Sequence, residues 1–175
     1  MCKKYYMVRL VILMVFASCC GACDNAPDNK PKIETKINHV ILDKGERKLF
    51  LMSNNYVVKT YKVAIGSNPI GPKRQEGDGK TPEGLYIIDR RNPKSSCYRS
   101  LHISYPSAKD IEYARRAGVR PGGDIMIHGI LNGLGWIGPF HRLFDWTGGC
   151  IAVTNKEIEE IWQMVPDGMP IELRP

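Results

Sequence analysis

Short runs rich in Val, Ile, Leu, Phe and Tyr, each broken by turn-forming residues, fill most of the chain beyond residue 37. Residues 38–43, 48–52 and 57–65 read as strands. Asp43-Lys44-Gly45-Glu46 separates the first two, and Ser53-Asn54-Asn55 the next two. These residue types favour tight turns, so the three runs predict an antiparallel meander. Residues 85–89, 101–105 and 124–128 read as further strands, and residues 169–173 as a last one. Two stretches carry a helical pattern instead. Residues 111–117 form a short one. Residues 156–165 form a clearer one, in which Ile158, Ile161, Trp162 and Val165 fall on a single face. Thr154 and Glu157 stand at the spacing of a capping box, and Pro166 ends the run. Trp162 is expected to pack on the core. Gly- and Pro-rich stretches at 66–84, 118–123 and 129–138 lie between the strands, as shaped loops around a cleft would. The pattern predicts one mainly β domain with one or two short helices at its edge.

The start of the chain reads differently. Lys3, Lys4 and Arg9 precede the apolar run Leu10 to Ala17, which gives way to small residues and cysteines. That order predicts a signal over residues 1–18, with an uncleaved anchor as the alternative. Phe16-Ala17-Ser18-Cys19 resembles a bacterial lipobox, with Cys19 lipidated. Cys23 is a second candidate, and plain secretion is the alternative to both. Residues 24–36 are polar and Pro-containing, as a tether is. The expected organisation is a lipoprotein-type signal at 1–18, a lipid-anchored tether at 19–36 and one domain at 37–174. The expected protein is exported, a monomer, and held to the membrane at a periplasmic or cell-envelope surface by its N-terminal lipid. Loss of the leader takes the formal charge from +7 to +4. A mildly basic body suits an anionic wall or membrane. No basic cluster with interleaved aromatics points to nucleic acid.

Placing the six cysteines isolates two of them. Cys2, Cys19, Cys20 and Cys23 lie in or beside the leader, which leaves Cys97 and Cys150 in the body. A bridge between these two would suit an oxidising compartment, but a catalytic thiol has to stay free. Cys150 follows Thr147-Gly148-Gly149 and precedes an apolar run, so glycines let the chain turn tightly just before it. Backbone amides in such a turn can face a developing oxyanion, and a nearby His can take the thiol proton. His128 closes an apolar run and is followed by Gly129, a position that faces a cleft. His141 lies in the loop Pro139-Phe140-His141-Arg142. His39 lies in the first strand, and His102 reads as structural. The bland alternative makes Cys150 and His128 ordinary core residues. The body contains no HxxxH or CxxC pair, so neither a metal nor a cofactor is expected.

Ile127-His128-Gly129 followed by Gly148-Gly149-Cys150-Ile151, with Gly77-Asp78-Gly79-Lys80-Thr81-Pro82-Glu83-Gly84 before them, resembles the signature of the L,D-transpeptidase catalytic domain (YkuD family). The resemblance spans about residues 37–174. It implies a β-sandwich with a curved sheet and a catalytic pair under a capping loop. It makes Cys150 the nucleophile and His128 the general base. Backbone amides around Gly149 and Cys150 would form the oxyanion hole, with Gly148, Thr147 and Gly129 in the surrounding binding backbone. The implied partner is a peptidoglycan tetrapeptide stem. Cys150 would attack the carbonyl of its third residue, a diamino acid, and expel the terminal D-Ala. The thioester would pass to an amine on another stem or on a wall protein. Water as acceptor would make the enzyme a carboxypeptidase or endopeptidase, and carbapenem sensitivity is implied.

The sequence departs from that signature. The family usually carries a His where Gly148 stands and often an Arg where Ala152 stands. The interval from His128 to Cys150 is 22 residues, longer than usual. The expectation is that His141 or Arg142, within this insert, replaces the lost groups and binds a substrate carboxylate; simple loop packing is the alternative. A sortase-type reading needs an Arg on a strand after the Cys, and only Arg174 follows it. Papain-type wall peptidases reverse the Cys–His order. A wall-binding lipoprotein that has lost turnover is the non-enzyme reading.

Overall fold

The computed structural model describes residues 36–175. The expected signal, Cys19, Cys23 and nearly all of the expected tether lie outside the described residues. Eight strands form one mixed sheet: β1 (His39–Asp43), β2 (Lys48–Ser53), β3 (Tyr56–Lys62), β4 (Gly84–Ser95), β5 (Tyr98–Ile103), β6 (Met126–His128), β7 (Ile151–Ala152) and β8 (Met169–Arg174). Their order across the sheet is β3-β2-β1-β8-β4-β5-β6-β7. The meander predicted for the first three strands is present. Asp43 Oδ1 accepts the Glu46 amide at 2.7 Å, which closes the β1–β2 turn. The last strand of the chain, β8, inserts at the middle of the sheet, parallel to β1 and antiparallel to β4.

The sheet curls until its two ends meet. Beyond β3 the chain continues to Ala64, which exchanges backbone hydrogen bonds with Ala152 of β7 at 3.0 and 2.8 Å. Ser67 and Ile65 then bond to Thr147 through backbone groups at 3.0 and 3.2 Å. Leu42, Leu49, Leu51, Ile88, Leu101, Ile127 and Ile151 face the enclosed core and are fully buried. Helix α2 (Asn155–Met164) covers it with Ile158 and Ile161, capped as predicted by the Thr154–Glu157 box. Trp162 packs partly buried against the same core.

Besides shifts at the ends of β3, β5 and β6, three elements differ from the sequence pattern. Helix α1 (Ala108–Ala117) starts three residues before the apolar pattern does, because Ser107 and Asp110 form a capping box with Asp in place of the usual Glu. Strand β4 runs on to Ser95 through polar residues. Past Ile88 it pairs with β5 alone, so those side chains face solvent, and Pro93 falls in a register irregularity. Within the 129–146 loop, Gly135–Leu143 forms 3-10 turns broken at Gly138, whose φ is 49°.

The Gly77–Gly84 segment forms a polar clamp around the buried Lys44 and Thr81 side chains. Lys44, 2% exposed, donates from Nζ to Glu83 Oε1 at 2.6 Å, Gly71 O at 2.8 Å and Thr81 O at 3.2 Å. The Thr81 hydroxyl accepts the Gly66 amide at 3.0 Å. Burial of Asp78 would raise its carboxyl pKa. Hydrogen bonds from Lys73 Nζ and the amides of Arg74, Gln75 and Lys80 outweigh that and hold it below the ordinary carboxylate range.

Lys44→Ala is expected to cost about 2 kcal/mol, because it removes a buried ammonium and strands the half-buried Glu83 carboxylate and two carbonyls, whereas Lys48→Ala in an exposed pair costs under about 1 kcal/mol. Urea melts measure both. Asp78 has a lowered folded-state pKa, so its contribution to stability is complete above its unfolded value and is lost as pH falls through the folded one. Asp78→Asn should therefore flatten the acid limb of the stability–pH curve.

Candidate active site

Register fixes which side chains share the outer face of β4–β7. Ser100 pairs with His128 and His102 with Met126, while His128 pairs with Ala152 in the parallel β6–β7 ladder. Directly opposed residues point to one face. One row is therefore Asn92, Ser100, His128 and Ala152. Carrying the β6–β7 register back one residue sets Cys150 beside Met126, so the next row is Arg90, His102, Met126 and Cys150. Cys150 and His128 thus lie diagonally on adjacent strands of one face. The buried Ile127 and Ile151 beneath them anchor both strands.

The turn that carries Cys150 is held at three points. Thr147 Oγ1 donates to Cys150 O at 2.7 Å and accepts the Gly149 amide at 3.1 Å. Gly149 has φ +133°, and a Cβ there would lie 2.4 Å from the Lys80 carbonyl oxygen. Only glycine permits that conformation and approach. The Cys150 amide has no acceptor among the described residues, whereas the Gly149 amide is taken by Thr147. The resemblance implies both amides for an oxyanion; the geometry leaves the Cys150 amide available. The Cys150 thiol donates to Asp124 O at 3.5 Å. Burial raises its pKa, and a backbone contact from Met126 opposes this. Cys97 is also free.

His128 is 5% exposed. Its Nδ1 lies 2.6 Å from the Gly129 carbonyl, which can only accept, so Nδ1 carries the proton. That tautomer leaves the Nε2 lone pair for a thiol proton. Burial holds the imidazole pKa below its ordinary value. The Trp146 ring packs edge-on against it, with centroids 5.8 Å apart. Gly129 leaves room for Asn155, whose Oδ1 accepts the Ile130 amide at 2.8 Å and fastens the insert to the start of α2.

The insert residues expected to meet a carboxylate turn inward instead. Arg142 binds both carboxylate oxygens of Glu157 at 3.1 and 3.0 Å. His141 is 4% exposed with both ring nitrogens unpartnered, and burial, helped by Arg142, lowers its pKa to about 4. A neutral ring and a paired guanidinium do not present a free cation. Trp136, Phe140, Leu143 and Phe144 point outward. The sequence reading also passed over Ser100, a buried unpartnered hydroxyl beside His128, and Asp89, whose Oδ1 lies 2.6 Å from His102 Nδ1. Single polar residues on short strands carry no motif; only the strand register reveals them. Among the described residues no group of His, Cys, Asp and Glu gathers to hold a metal ion.

The family model of the L,D-transpeptidase catalytic domain (YkuD) matches residues 37–173. A protein of Escherichia coli strain K12 named "Putative L,D-transpeptidase YafK" is 34% identical over 133 residues, 73% of this chain and 46% of the relative. Among solved structures, the helical cell shape determining protein Pgp2 from Campylobacter jejuni aligns with TM-score 0.59 and 26% identity, over 80% of this chain and 48% of that one. Bd1075 of Bdellovibrio bacteriovorus aligns with TM-score 0.56 and 26% identity, over 79% and 48%. The chain spans about half the length of the curated relatives it matches.

Gly148 differs from Gly149 in having nothing within 4 Å of a built Cβ. Gly149→Ala is expected to abolish Cys150 chemistry and lower the melting temperature. Gly148→Ala should fold as wild type, and Gly148→His should also fold, because its side chain enters open space. Thermal melts with timed thiol labelling distinguish the three.

Proposed function

The chain belongs to the L,D-transpeptidase catalytic domain (YkuD) family, and we propose that it is an exported cysteine acyltransferase acting on peptidoglycan tetrapeptide stems. The observation that carries this reading is the placement of Cys150 and His128 on adjacent strands of one sheet face, with Nε2 of the imidazole left unprotonated. In the first half-reaction Nε2 takes the Cys150 proton as sulfur attacks the carbonyl of the third stem residue. The oxyanion forms against the Cys150 amide. The tetrahedral intermediate collapses with loss of D-Ala, whose amine receives the proton from His128, leaving a thioester. In the second half-reaction His128 takes a proton from an incoming amine, which attacks the thioester and releases the thiol. An amine on a neighbouring stem gives a 3→3 cross-link; an amine on a wall protein gives an anchored protein. The cell-shape role in the name of Pgp2 suits an enzyme that edits the wall in this way.

One observation favours a second reading. Gly148 leaves open space where the family usually places a His, on the turn that meets the acyl group. Water could then replace the amine and make the protein an L,D-carboxypeptidase or endopeptidase. Lipid anchoring through Cys19 or Cys23, in a cell-envelope setting, belongs to the proposal on the sequence reading alone.

Carbapenem added to the protein should give a stable mass adduct that disappears in Cys150→Ala. An unmodified wild type would overturn the enzyme reading in favour of a wall-binding protein. Stem peptides from cells carrying wild type or Cys150→Ala then separate 3→3 dimers from trimmed tripeptides.

The resting pair is a thiol and a neutral imidazole, since burial raises the one pKa and lowers the other. His128 works unprotonated, so the acid limb of kcat/KM is expected below the ordinary histidine range. Alkylation of Cys150 should keep rising with pH into the alkaline range. A plateau from about pH 5, as a thiolate–imidazolium pair gives, would contradict this assignment.

A further inference from the structure

Ser100 stands on the same sheet face as Cys150 and His128 and has no part in the acyl transfer just described. It is 1% exposed, and its hydroxyl has no hydrogen-bond partner among the described residues. A buried hydroxyl left unpaired costs stability that an alanine of nearly the same size would recover. Packing therefore does not account for a serine at this position.

Ser100 faces His128 directly across the β5–β6 ladder. The ladder is bonded at the pairs on either side of this row, through Gly129 N to Arg99 O at 3.2 Å and Ile103 N to Ile125 O at 2.8 Å. Bonded and non-bonded pairs alternate in an antiparallel ladder, which makes Ser100–His128 a non-bonded pair. Its Cα atoms then lie about 4.5 Å apart, with the side chains at their closest. Strand β6 lies between β5 and β7. Cys150 therefore approaches the imidazole from the β7 side and Ser100 from the β5 side, away from the reacting atoms.

The ring between them has little to support a positive charge. Burial disfavours its protonated form and holds its pKa below the ordinary value. Among the described residues its hydrogen bond to the Gly129 carbonyl is the only one it makes, and no carboxylate pairs with it. Trp146 packs against the ring and carries an N–H donor but no acceptor. His141, the titratable neighbour from the insert, is neutral and would oppose a second cation. Nucleophile–histidine sites of the triad type hold a carboxylate against the ring for this purpose.

We propose that Ser100 is a positioning residue for His128: its hydroxyl oxygen turns to the ring when the imidazole carries the Cys150 proton, and steadies that imidazolium in place of a carboxylate. The proposal rests on the acyl-transfer reading only for the identity of the reaction. The thiol proton passes to Nε2 and then to the leaving amine, and the serine keeps its own proton throughout. A hydroxyl suits this task because it rotates. With no fixed partner, it presents its lone pairs when the charge forms and turns them away when the charge leaves. A fixed carboxylate would favour the imidazolium at rest, and the ring would lose the lone pair that takes the thiol proton.

Two measurements on the full-length chain test this. In a Cys150→Ala background, NMR titration of the His128 ring protons, identified by their absence in His128→Gln, reads the coupling without turnover. Ser100→Ala is expected to weaken proton binding by His128 at least about three-fold, while the melting temperature stays level or rises. With Cys150 in place, Ser100→Ala is expected to slow carbapenem acylation near neutral pH at least about five-fold. Its acid limb moves to lower pH, because the unprotonated ring persists further into acid. Ser100→Thr should keep most of the rate, whereas Ser100→Val, the same shape without the hydroxyl, should lose it as alanine does. An unchanged His128 titration in Ser100→Ala, or a Ser100→Val protein as fast as Ser100→Thr, would overturn the proposal. A wild type that resists carbapenem while Ser100→Ala still shifts the His128 titration keeps the coupling of the two residues and removes the acyl-transfer reading alone.

Discussion

The exchange of backbone hydrogen bonds between Ala64 and Ala152 is the contact on which the site hangs. It joins the two ends of an eight-stranded sheet, and a sheet so closed encloses its own core against α2. It also fixes the short strand that carries Cys150. Two ladder residues would not hold a strand in register by themselves. The extension of β3 on one side and β6 on the other hold β7 between them, and the turn before it is tied to Ser67 and Ile65 through Thr147. Placement of Cys150 is therefore a long-range property, set by residues almost a hundred positions earlier in the chain.

Much of the fold can be read from the sequence where local chemistry and period agree. The β1–β2–β3 meander follows from Asx-type turn residues between alternating strands. Helix α2 follows from a capping box, an apolar stripe and a terminating proline. The insertion of β8 between β1 and β4 cannot be read this way, because no local pattern says which strand accepts a parallel neighbour. The 3-10 turns at Gly135–Leu143 are equally hidden: their pattern is inverted, with His141 and Arg142 inside and aromatic rings outside. Ion pairing to Glu157, which also caps α2, explains why Arg142 faces inward.

The candidate site is legible to the same uneven degree. Cys150 and His128 stand out by glycine context and order. The Thr147 hydroxyl, which both donates to the turn and takes up one of its amides, stands out only in three dimensions. So does the contact between Lys80 O and Gly149, which explains why a glycine-rich, charged segment seventy residues upstream belongs to the same signature as Cys150. That segment forms the wall behind the turn. Buried Lys44 and partly buried Asp78 hold the wall, and their charges are satisfied by fixed partners where water would otherwise be needed.

Asn155 is both the first residue of α2 and the residue whose side chain grips the Ile130 amide. The opening turn of the helix and the root of the insert therefore share a fastening, which Arg142 and Glu157 reinforce farther along. Structural units coupled in this way tend to open together, as one cooperative segment. Any excursion that lifts the aromatic insert from the surface must also loosen the helix that seals the core, so the loop beside His128 inherits the kinetic stability of the domain interior.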